Sequence, residues 1–401
     1  MRNEAEAVAL REPGPRGHDA AASYVPPPRP WRAFRPSPKW FRAGAWIVHR
    51  LAWRLRLLEY ALAGLEREAT STVTVPLRKR IRLWRRGFLG ESAVLYDLQP
   101  GTLQDYLSDA ERFVGSRTIN GPYAILLDDK LLFDRLLADF PSLKPRFFGV
   151  LDGARVLSAQ GVGGDSGARS LRDLLQRERR LAIKPATGGG GRGFAVFEAL
   201  QDGGFALDGA PTSLERLETH GRAESRLMVG ELVAQHADLA ALYPRTTNTL
   251  RLITMQDETG APFVARAVAR IGRTQSEPTD NWITGGLCAQ VDLETGVLGE
   301  AASFPAESSV LSWYETHPES GAQICGARIP HWQVIHSGIL EVARTVPFLP
   351  YVGWDLVVTP QGFKIIEGNS YSGVNLLQIH GPLLRDERVR DFFRRHGALR
   401  R

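Results

Sequence analysis

The residues nearest to chemistry lie between Gly353 and Asn369, where Thr359-Pro360-Gln361-Gly362 separates two apolar runs. Pro360 suits the first central position of a type I turn, and Gly362 suits the left-handed residue after it. The spacing predicts a hairpin with a three-residue loop, in which Thr359 faces Phe363. Counting outward by pairs, Asp355 falls opposite Glu367, and Asn369 shares their face. Like charges set opposite one another destabilise a sheet. A hard cation between them removes the conflict, and Mg²⁺ prefers oxygen ligands of this kind. A two-residue loop would instead send Asp355 and Glu367 to opposite faces, each an ordinary solvated charge.

A second candidate is Thr187-Gly188-Gly189-Gly190-Gly191-Arg192-Gly193, which follows the apolar run Leu181–Pro185 containing Lys184. Successive glycines let a backbone approach closely, and their amides can cradle phosphate oxygens. Gly188, Gly190 and Gly193 satisfy G-x-G-x-x-G, but a dinucleotide fingerprint must open a helix. Here Phe194-Ala195-Val196-Phe197 continues as a strand. The Lys-Ser/Thr of a Walker loop is missing, and a protein kinase places its lysine on a later strand. What remains is a strand–glycine–strand flap with a lysine at its base, or a flexible linker. A third candidate is the pair of arginines on the strand Phe263–Ile271. Alternation sets Phe263, Ala265, Ala267, Ala269 and Ile271 on one face and Val264, Arg266, Val268 and Arg270 on the other. Guanidiniums among valines require an anion or acidic partners. Arg251 likewise shares a face with Ile253. A structural ion pair is the alternative for each.

These residues need elements to hold them. Helices are expected at Leu131–Phe140, at Leu171–Arg180 behind the N-cap pair Ser170 and Asp173, near 331–345 and near 387–396. Strands are expected at 181–185, 194–197, 227–233, 248–255, 263–271 and 286–292, besides the hairpin. Strand-rich stretches with scattered helices read as α+β, not as a regular βαβ series. At 401 residues the chain is long enough for two or three domains. Two cysteines, Cys288 and Cys325, have no metal-ligand spacing, so a disulfide scaffold is not expected and a reducing compartment is. No run approaches about 18 uncharged apolar residues, and the first residues lack the apolar core of a secretory signal.

Charge is unevenly placed. Residues 29–86 hold fifteen Lys or Arg against three acids, a net +12, while the whole chain is +6. Residues 1–40 are Pro-rich and read as a disordered tail. From Trp46 to Glu68, Val48, Leu51, Leu55, Leu58, Leu62 and Leu65 recur at helical spacing. This amphipathic helix either docks its stripe on the body of the protein or serves a membrane surface or acidic partner. The cluster from Arg78 to Arg86 interleaves Trp84, an arrangement able to stack a base, but a solvated helix face is the simpler reading, and no specific nucleic-acid partner is expected.

Taken in order, Leu127-Asp128-Asp129-Lys130, Ile183-Lys184-Pro185 with the glycine loop, Gly230 to His236, Asn248-Thr249-Leu250-Arg251, Asp280-Asn281 before Gly285-Gly286, Gly353-Trp354-Asp355 and Glu367-Gly368-Asn369 resemble the ATP-grasp superfamily. More narrowly, they resemble its sugar-transfer associated branch, over roughly residues 90–385. The resemblance implies two α+β subdomains gripping ATP, placed at 121–225 and 226–401, after a basic, mainly helical region at 41–120. By it, Lys130 and Lys184 contact phosphates and the loop of Gly188, Gly189, Gly190, Gly191 and Gly193 closes over them. Glu231, Leu232 and Val233 form the hinge beside adenine and ribose. Asp355, Glu367 and Asn369 ligate Mg²⁺, as two ions, with Mn²⁺ an acceptable substitute.

The chemistry it implies is activation of a carboxylate to an acyl phosphate, then attack by an amine or another nucleophile, in a cytoplasmic enzyme or one at the inner membrane surface. Both small-molecule substrates are open, with glycan or cell-surface metabolite synthesis the setting the branch suggests. In the D-alanine ligase branch an arginine lies two residues before the metal aspartate; here that position is Gly353. The charge-stabilising role then falls to Arg251, Arg266 or Arg270. Alternative readings are a kinase-like phosphotransferase acting on a hydroxyl, and a nucleotide- or polyanion-binding protein without turnover.

Overall fold

The computed structural model describes residues 39–71, 73–158, 169–223, 226–304 and 310–399. The expected Pro-rich tail lies outside them, except that Lys39 and Trp40 already belong to helix α1 (Lys39–Thr70). By compactness the chain divides into two units, Met1–Arg54 and Leu55–Arg401. Everything below concerns the second.

Two antiparallel sheets form the body. The first holds β1 (Phe147–Asp152), β2 (Arg155–Leu157), β3 (Arg169–Ser170), β4 (Arg180–Pro185), β5 (Ala195–Ala199), β6 (Phe205–Leu207), β7 (Ala210–Thr212) and β8 (Leu227–Glu231). Their order is β3-β2-β1-β8-β4-β5-β6-β7. Helices Leu171–Glu178 and Leu214–Ala223 cover one face, where Leu171, Leu174, Leu175 and Leu217 meet Ile183, Phe197 and Val229. Ser170 caps the first of these helices by accepting from Asp173 N, as its spacing predicts. β8 was expected to open the second subdomain at residue 226. It lies instead between β1 and β4, in the middle of the first sheet.

The second sheet holds β9 (Thr249–Gln256), β10 (Pro262–Ile271), β11 (Leu287–Val291), β12 (Leu298–Ser303), β13 (Ser312–Tyr314), β14 (Tyr351–Thr359) and β15 (Gly362–Asn369), in the order β13-β12-β11-β10-β9-β14-β15. Helix Trp332–Thr345 packs on one face through Ile335, Ile339 and Val342. The other face is covered by residues of 83–107 and by helix Glu387–Arg395, through Leu83, Phe88, Leu95, Phe392 and Phe393. With both faces covered, all nine residues of β14 are buried, and they read as a near-continuous apolar run.

Two irregularities re-aim side chains. The β14–β15 loop is Pro360-Gln361, because Thr359 pairs with Gly362 and Val358 with Phe363. The expected three-residue loop is therefore wrong. A bulge then makes up the lost residue: Leu356 pairs with Ile365, but Asp355 pairs with Glu367, leaving Ile366 as the extra residue. Asp355 and Glu367 end up opposite one another after all. In β10, a shift in pairing with β9 between Val264 and Arg266 breaks strict alternation. Phe263 and Ala265 face the same layer as Val268, while Val264 joins Ala267, Ala269 and Ile271 on the opposite one. The expected single face from Phe263 to Ile271 is thus split, whereas Arg266, Val268 and Arg270, beyond the shift, stay together.

Helix α1 docks, but not by its leucines. Tyr60 donates its hydroxyl to Gly87 O at 3.1 Å and packs its ring on Phe113. Gly64 is buried so close to Leu89 that an added Cβ would stand 3.3 Å from Leu89 Cδ2. Glu68 accepts from Gly90 N and pairs with Arg80 of helix α2 (Leu77–Trp84) at 3.2 Å. Leu55, Leu58, Leu62 and Leu65 of the stripe expected as a docking face stay in solvent. Among the described residues no helix is long and apolar enough to cross a membrane.

Candidate functional site

One cleft between the sheets gathers most of the residues singled out by their chemistry. Its lining includes Lys130, Lys184, Gly188, Gly189, Gly191, Glu231, Leu232, Val233, Arg270, Asp355 and Glu367, around an empty volume of about 1140 Å³ including the open mouth.

The lysines come from two elements. Asp129 caps helix Lys130–Leu136 by accepting from Leu131 N and Leu132 N, which fixes Lys130 at the first helical position. Lys130 N donates to Ala186 O at 2.8 Å, tying the helix to the end of β4. Its ammonium reaches Gly188 O at 2.6 Å and Glu367 Oε1 at 3.1 Å, bridging the glycine loop and the hairpin. Lys184, on β4, donates to Ile366 O at 3.1 Å, so the bulged residue of β15 supplies its carbonyl partner. Burial lowers the Lys184 pKa to about 8, and nearby Lys130 adds to this while Glu367 opposes it.

The glycine loop is open where ligand would lie. Gly188, Gly190, Gly191 and Gly193 take positive φ. A Cβ on Gly188 or Gly189 would meet nothing within 4 Å. Asn281 Nδ2 holds the loop's far end by donating to Gly190 O at 3.1 Å.

The opposite wall is a charge network within the second sheet. Arg251 on β9 lies opposite Asp355 on β14, and Asp355 opposite Glu367 on β15. Arg251 grips Asp355 with two nitrogens, its Nη2 at 2.7 Å from Oδ2, and its Nη1 donates to Ser372 Oγ at 3.1 Å. Arg270 Nη1 adds a bond to Asp355 Oδ2 at 3.1 Å, and its Nη2 pairs with Asp280. Asp280 also accepts from Thr249 N at 2.9 Å and from the Thr249 hydroxyl. Burial alone would raise the Asp355 pKa, but Arg251 and Arg270 outweigh it and hold the carboxyl below its usual range. For Arg270 the order is similar: burial opposes its charge, and Asp280 and Asp355 override it. The conflict between opposed carboxylates is thus met within the protein, by guanidiniums on Asp355 and the Lys130 ammonium on Glu367.

The three arginines separate. Arg270 lines the cleft. Arg251 stands behind Asp355 with its donors engaged there and on Ser372. Arg266 is not at the site. It feels Asp386, at the start of the C-terminal helix, and burial depresses its pKa. Gly353 has a steric reason: an added Cβ would come within 2.6 Å of Ser372 Oγ. No arginine fits there, and Arg251 with Ser372 fills the space. Glu231 turns its carboxylate outward to Arg146 N at 2.9 Å and Lys364 Nζ at 3.2 Å, so the cleft is bounded at Glu231–Val233 mainly by backbone and apolar groups. Asp280, Asn281 and Thr249 were seen in the sequence only as carriers of resemblance. An acid two residues beyond Pro278, in the loop after an arginine strand, is the signal that Arg270 has a partner.

Among the described residues no group of three or more His, Cys, Asp or Glu converges into a cage for a metal ion. Mg²⁺ shared with phosphates asks for less, since one or two carboxylates suffice. Asp355 and Glu367 are such a pair and both line the cleft. Asn369 lies opposite Gly353 on their face; its Nδ2 donates to Gly353 O at 3.3 Å, and it is not part of the lining. The donor set is hard oxygen and fits Mg²⁺.

The family described as sugar-transfer associated ATP-grasp matches residues 115–390. No curated protein is significantly similar to the chain. Similar solved structures include a biotin carboxylase from Campylobacter jejuni in complex with β,γ-ATP, at 12% identity and TM-score 0.36, covering 68% of this chain and 47% of that one. A D-alanine–D-alanine ligase from Bacillus anthracis follows at 10% identity and TM-score 0.34, with coverage of 73% and 77%. An N5-carboxyaminoimidazole ribonucleotide synthetase from Thermotoga maritima stands at 9% identity and TM-score 0.32, with coverage of 63% and 44%. The chain spans less than half the length of the first and third of these.

Proposed function

The chain belongs to the sugar-transfer associated ATP-grasp family, and from that premise we propose that it is an ATP- and Mg²⁺-dependent carboxylate ligase working through an acyl phosphate. The observation that carries the reading is the convergence on one cleft of Lys130, Lys184, the glycine loop, Arg270 and the Asp355–Glu367 pair. A kinase-like phosphotransferase would share this cleft.

In the proposed reaction a substrate carboxylate oxygen attacks the γ-phosphorus of ATP. The bond to the β,γ-bridging oxygen breaks and ADP leaves. An amine or other nucleophile then attacks the acyl carbon, the C–O bond to phosphate breaks, phosphate departs and the nucleophile gives up a proton. Lys184 and Lys130 neutralise phosphate oxygens, and the loop amides from Gly188 to Gly191 cradle them. Arg270, fixed by Asp280 and Asp355 before substrate arrives, faces the transferred phosphoryl, so little reorganisation is needed. Arg251 acts through Asp355, as a positioning residue. Asp355 and Glu367, with Asn369 beside them as a third oxygen donor, would hold Mg²⁺. When bound, the ion neutralises charge shared with the phosphates. Leu232 and Val233 offer backbone groups beside the adenine. The family's description supports glycan or cell-surface metabolite assembly as the setting of this proposal.

The test is trapping. A panel of carboxylic acids, among them uronic acids and amino acids, is incubated with ATP, Mg²⁺ and hydroxylamine. A hydroxamate formed with ADP, and lost in Asp355→Asn, is the expected result. A stable phosphate ester on a hydroxyl substrate would replace the ligase reading with the phosphotransferase, and AMP as product would remove both.

A further inference from the structure

Away from the cleft, α1 from Leu55 onward and α2 carry a surface the proposed chemistry does not use. On α1, Leu55, Leu58, Leu62 and Leu65 are 59%, 56%, 61% and 58% exposed. Their 3–4 spacing puts them on one stripe. Tyr60, Gly64 and Glu68 hold the helix from its other sides, so the stripe is not awaiting a place in this body. Helix α2 repeats the arrangement. Leu83 is its buried anchor, while Leu77, Ile81 and Trp84 are 66%, 39% and 40% exposed at i, i+4 and i+7. Trp84 Nε1 donates to Glu68 Oε1 at 3.0 Å, so this second ridge adjoins α1.

The same short helix and its end bear Arg78, Lys79, Arg82, Arg85 and Arg86, all exposed. Among the described residues none of the five pairs with a carboxylate, whereas Arg67 and Arg80 of these two helices do.

We propose that this pair of helices seats the protein on an anionic lipid surface, with the leucine stripe and Trp84 entering the headgroup boundary and the five cations facing acidic lipid. Helix α2 has the exposed apolar ridge and the basic flank of an in-plane interfacial helix, α1 extends the apolar ridge, and neither spans. A second copy of the chain is the competing occupant. A two-fold interface would bring the same five cations toward themselves, whereas an anionic bilayer attracts each of them. The stripe described here also covers barely two heptads, short of the three or four that a coiled coil sustains. The charge therefore selects the lipid. Aromatic Trp84 at the edge of the ridge suits the interface, where an indole keeps one end apolar and one end hydrated.

The experiment is co-sedimentation of the full chain with vesicles of two parts phosphatidylcholine to one part phosphatidylglycerol, against phosphatidylcholine alone, at low and high salt. Binding is expected only to the anionic vesicles and is lost at high salt. Leu58→Ser with Leu62→Ser, and separately Arg82→Glu with Arg85→Glu, each lower the partition constant by about tenfold or more. The thermal midpoint stays unchanged, because none of these side chains is buried. Failure of the parent protein to bind anionic vesicles overturns the proposal. So does binding that survives both double variants, or a dimer seen by light scattering that the leucine variant dissolves, which would assign the stripe to a second copy. None of these outcomes touches the cleft, so the proposed ligase activity stands or falls separately.

Discussion

The two walls of the cleft solve opposite problems. The wall from the second sheet is fully wired before any ligand arrives. Asp355 is only 5% exposed at its side chain and is held by Arg251 and Arg270, while Arg270 is itself fixed by Asp280. The wall from the first sheet is under-satisfied. Among the described residues the Lys184 ammonium has one hydrogen-bond partner, the Ile366 carbonyl, and its pKa is lowered, while Gly188 and Gly189 face open space. One wall is prepared to hold charge in place; the other is prepared to receive it. Preorganised dipoles and charges reduce the reorganisation that accompanies reaction, while a desolvated cation gains most when an anion reaches it.

The sharpest way to break this comparison is to neutralise each hairpin carboxylate in turn. Asp355→Asn leaves two buried guanidiniums short of their counter-charge, and removal of one partner from a buried pair costs about 3–5 kcal/mol. Glu367 is 23% exposed at its side chain and meets one ammonium, so Glu367→Gln should cost less than about 1 kcal/mol. Simple repulsion between two opposed acids would have both substitutions stabilise the apo protein. Denaturant unfolding of the two variants decides it. Equal, small effects would mean that the second wall is not a network. Both variants should lose turnover.

The hairpin also shows how far the sequence reached. Asp355 does oppose Glu367, but through two one-residue departures that cancel: the loop is one residue shorter than its Pro and Gly suggest, and a bulge at Ile366 restores the count. Bulges depend on what the strand packs against, here a carbonyl aimed at Lys184, and no local pattern announces that. The arginines on β10 teach a related lesson. Alternation correctly put Arg266 and Arg270 on one face, but it is silent about position along the strand. Four residues are about 13 Å, enough to carry Arg266 from the cleft toward Asp386. Three of the strands that the sequence does not announce, β6, β7 and β13, are three-residue pieces at or next to a sheet edge, too short to show a period. β8 is legible as a strand, but the boundary expected at residue 226 parts it from the sheet it joins, because a chain that returns to an earlier sheet leaves no mark on composition. The α+β, ATP-grasp reading of the fold was legible because its carriers occur together and in order.

A smaller effect probes the other wall. Lys184→Met removes a desolvated cation, so apo stability should hold, while ATP affinity falls by about 1.5–3 kcal/mol, the range for a hydrogen bond to a charged group. The pH dependence follows from the sign of the shift. With a free-protein pKa of about 8, the ammonium of the apo protein is lost as pH rises through that value. Bound phosphate favours the charged form, so binding above pH 8 must take up a proton. ATP affinity should fall with rising pH, by at most about tenfold per unit. Calorimetry in buffers of different ionisation enthalpy would register the proton uptake. In Lys184→Met both the slope and the uptake should vanish; if they persist, Lys184 is not the group that receives the phosphate.

The finest test lies within the glycine loop, where the two walls meet. Gly189 has ordinary φ and open space around an added Cβ, so Gly189→Ala should fold normally and keep its ATP affinity within about 1 kcal/mol. Gly191 has φ +75, and a Cβ there would approach Thr279 Cγ2 to 2.7 Å. Gly191→Ala should therefore shift the loop away from the second sheet, where Asn281 holds the neighbouring Gly190 carbonyl. Left-handed backbone at a non-glycine residue costs on the order of 1–2 kcal/mol, which the loop can avoid by moving. The expected result is weaker ATP binding without loss of the global thermal midpoint. Pairing it with Thr279→Ala relieves the clash but not the φ strain. Partial recovery in the double variant would assign the loss to contact between the walls, and no recovery would assign it to the loop backbone alone.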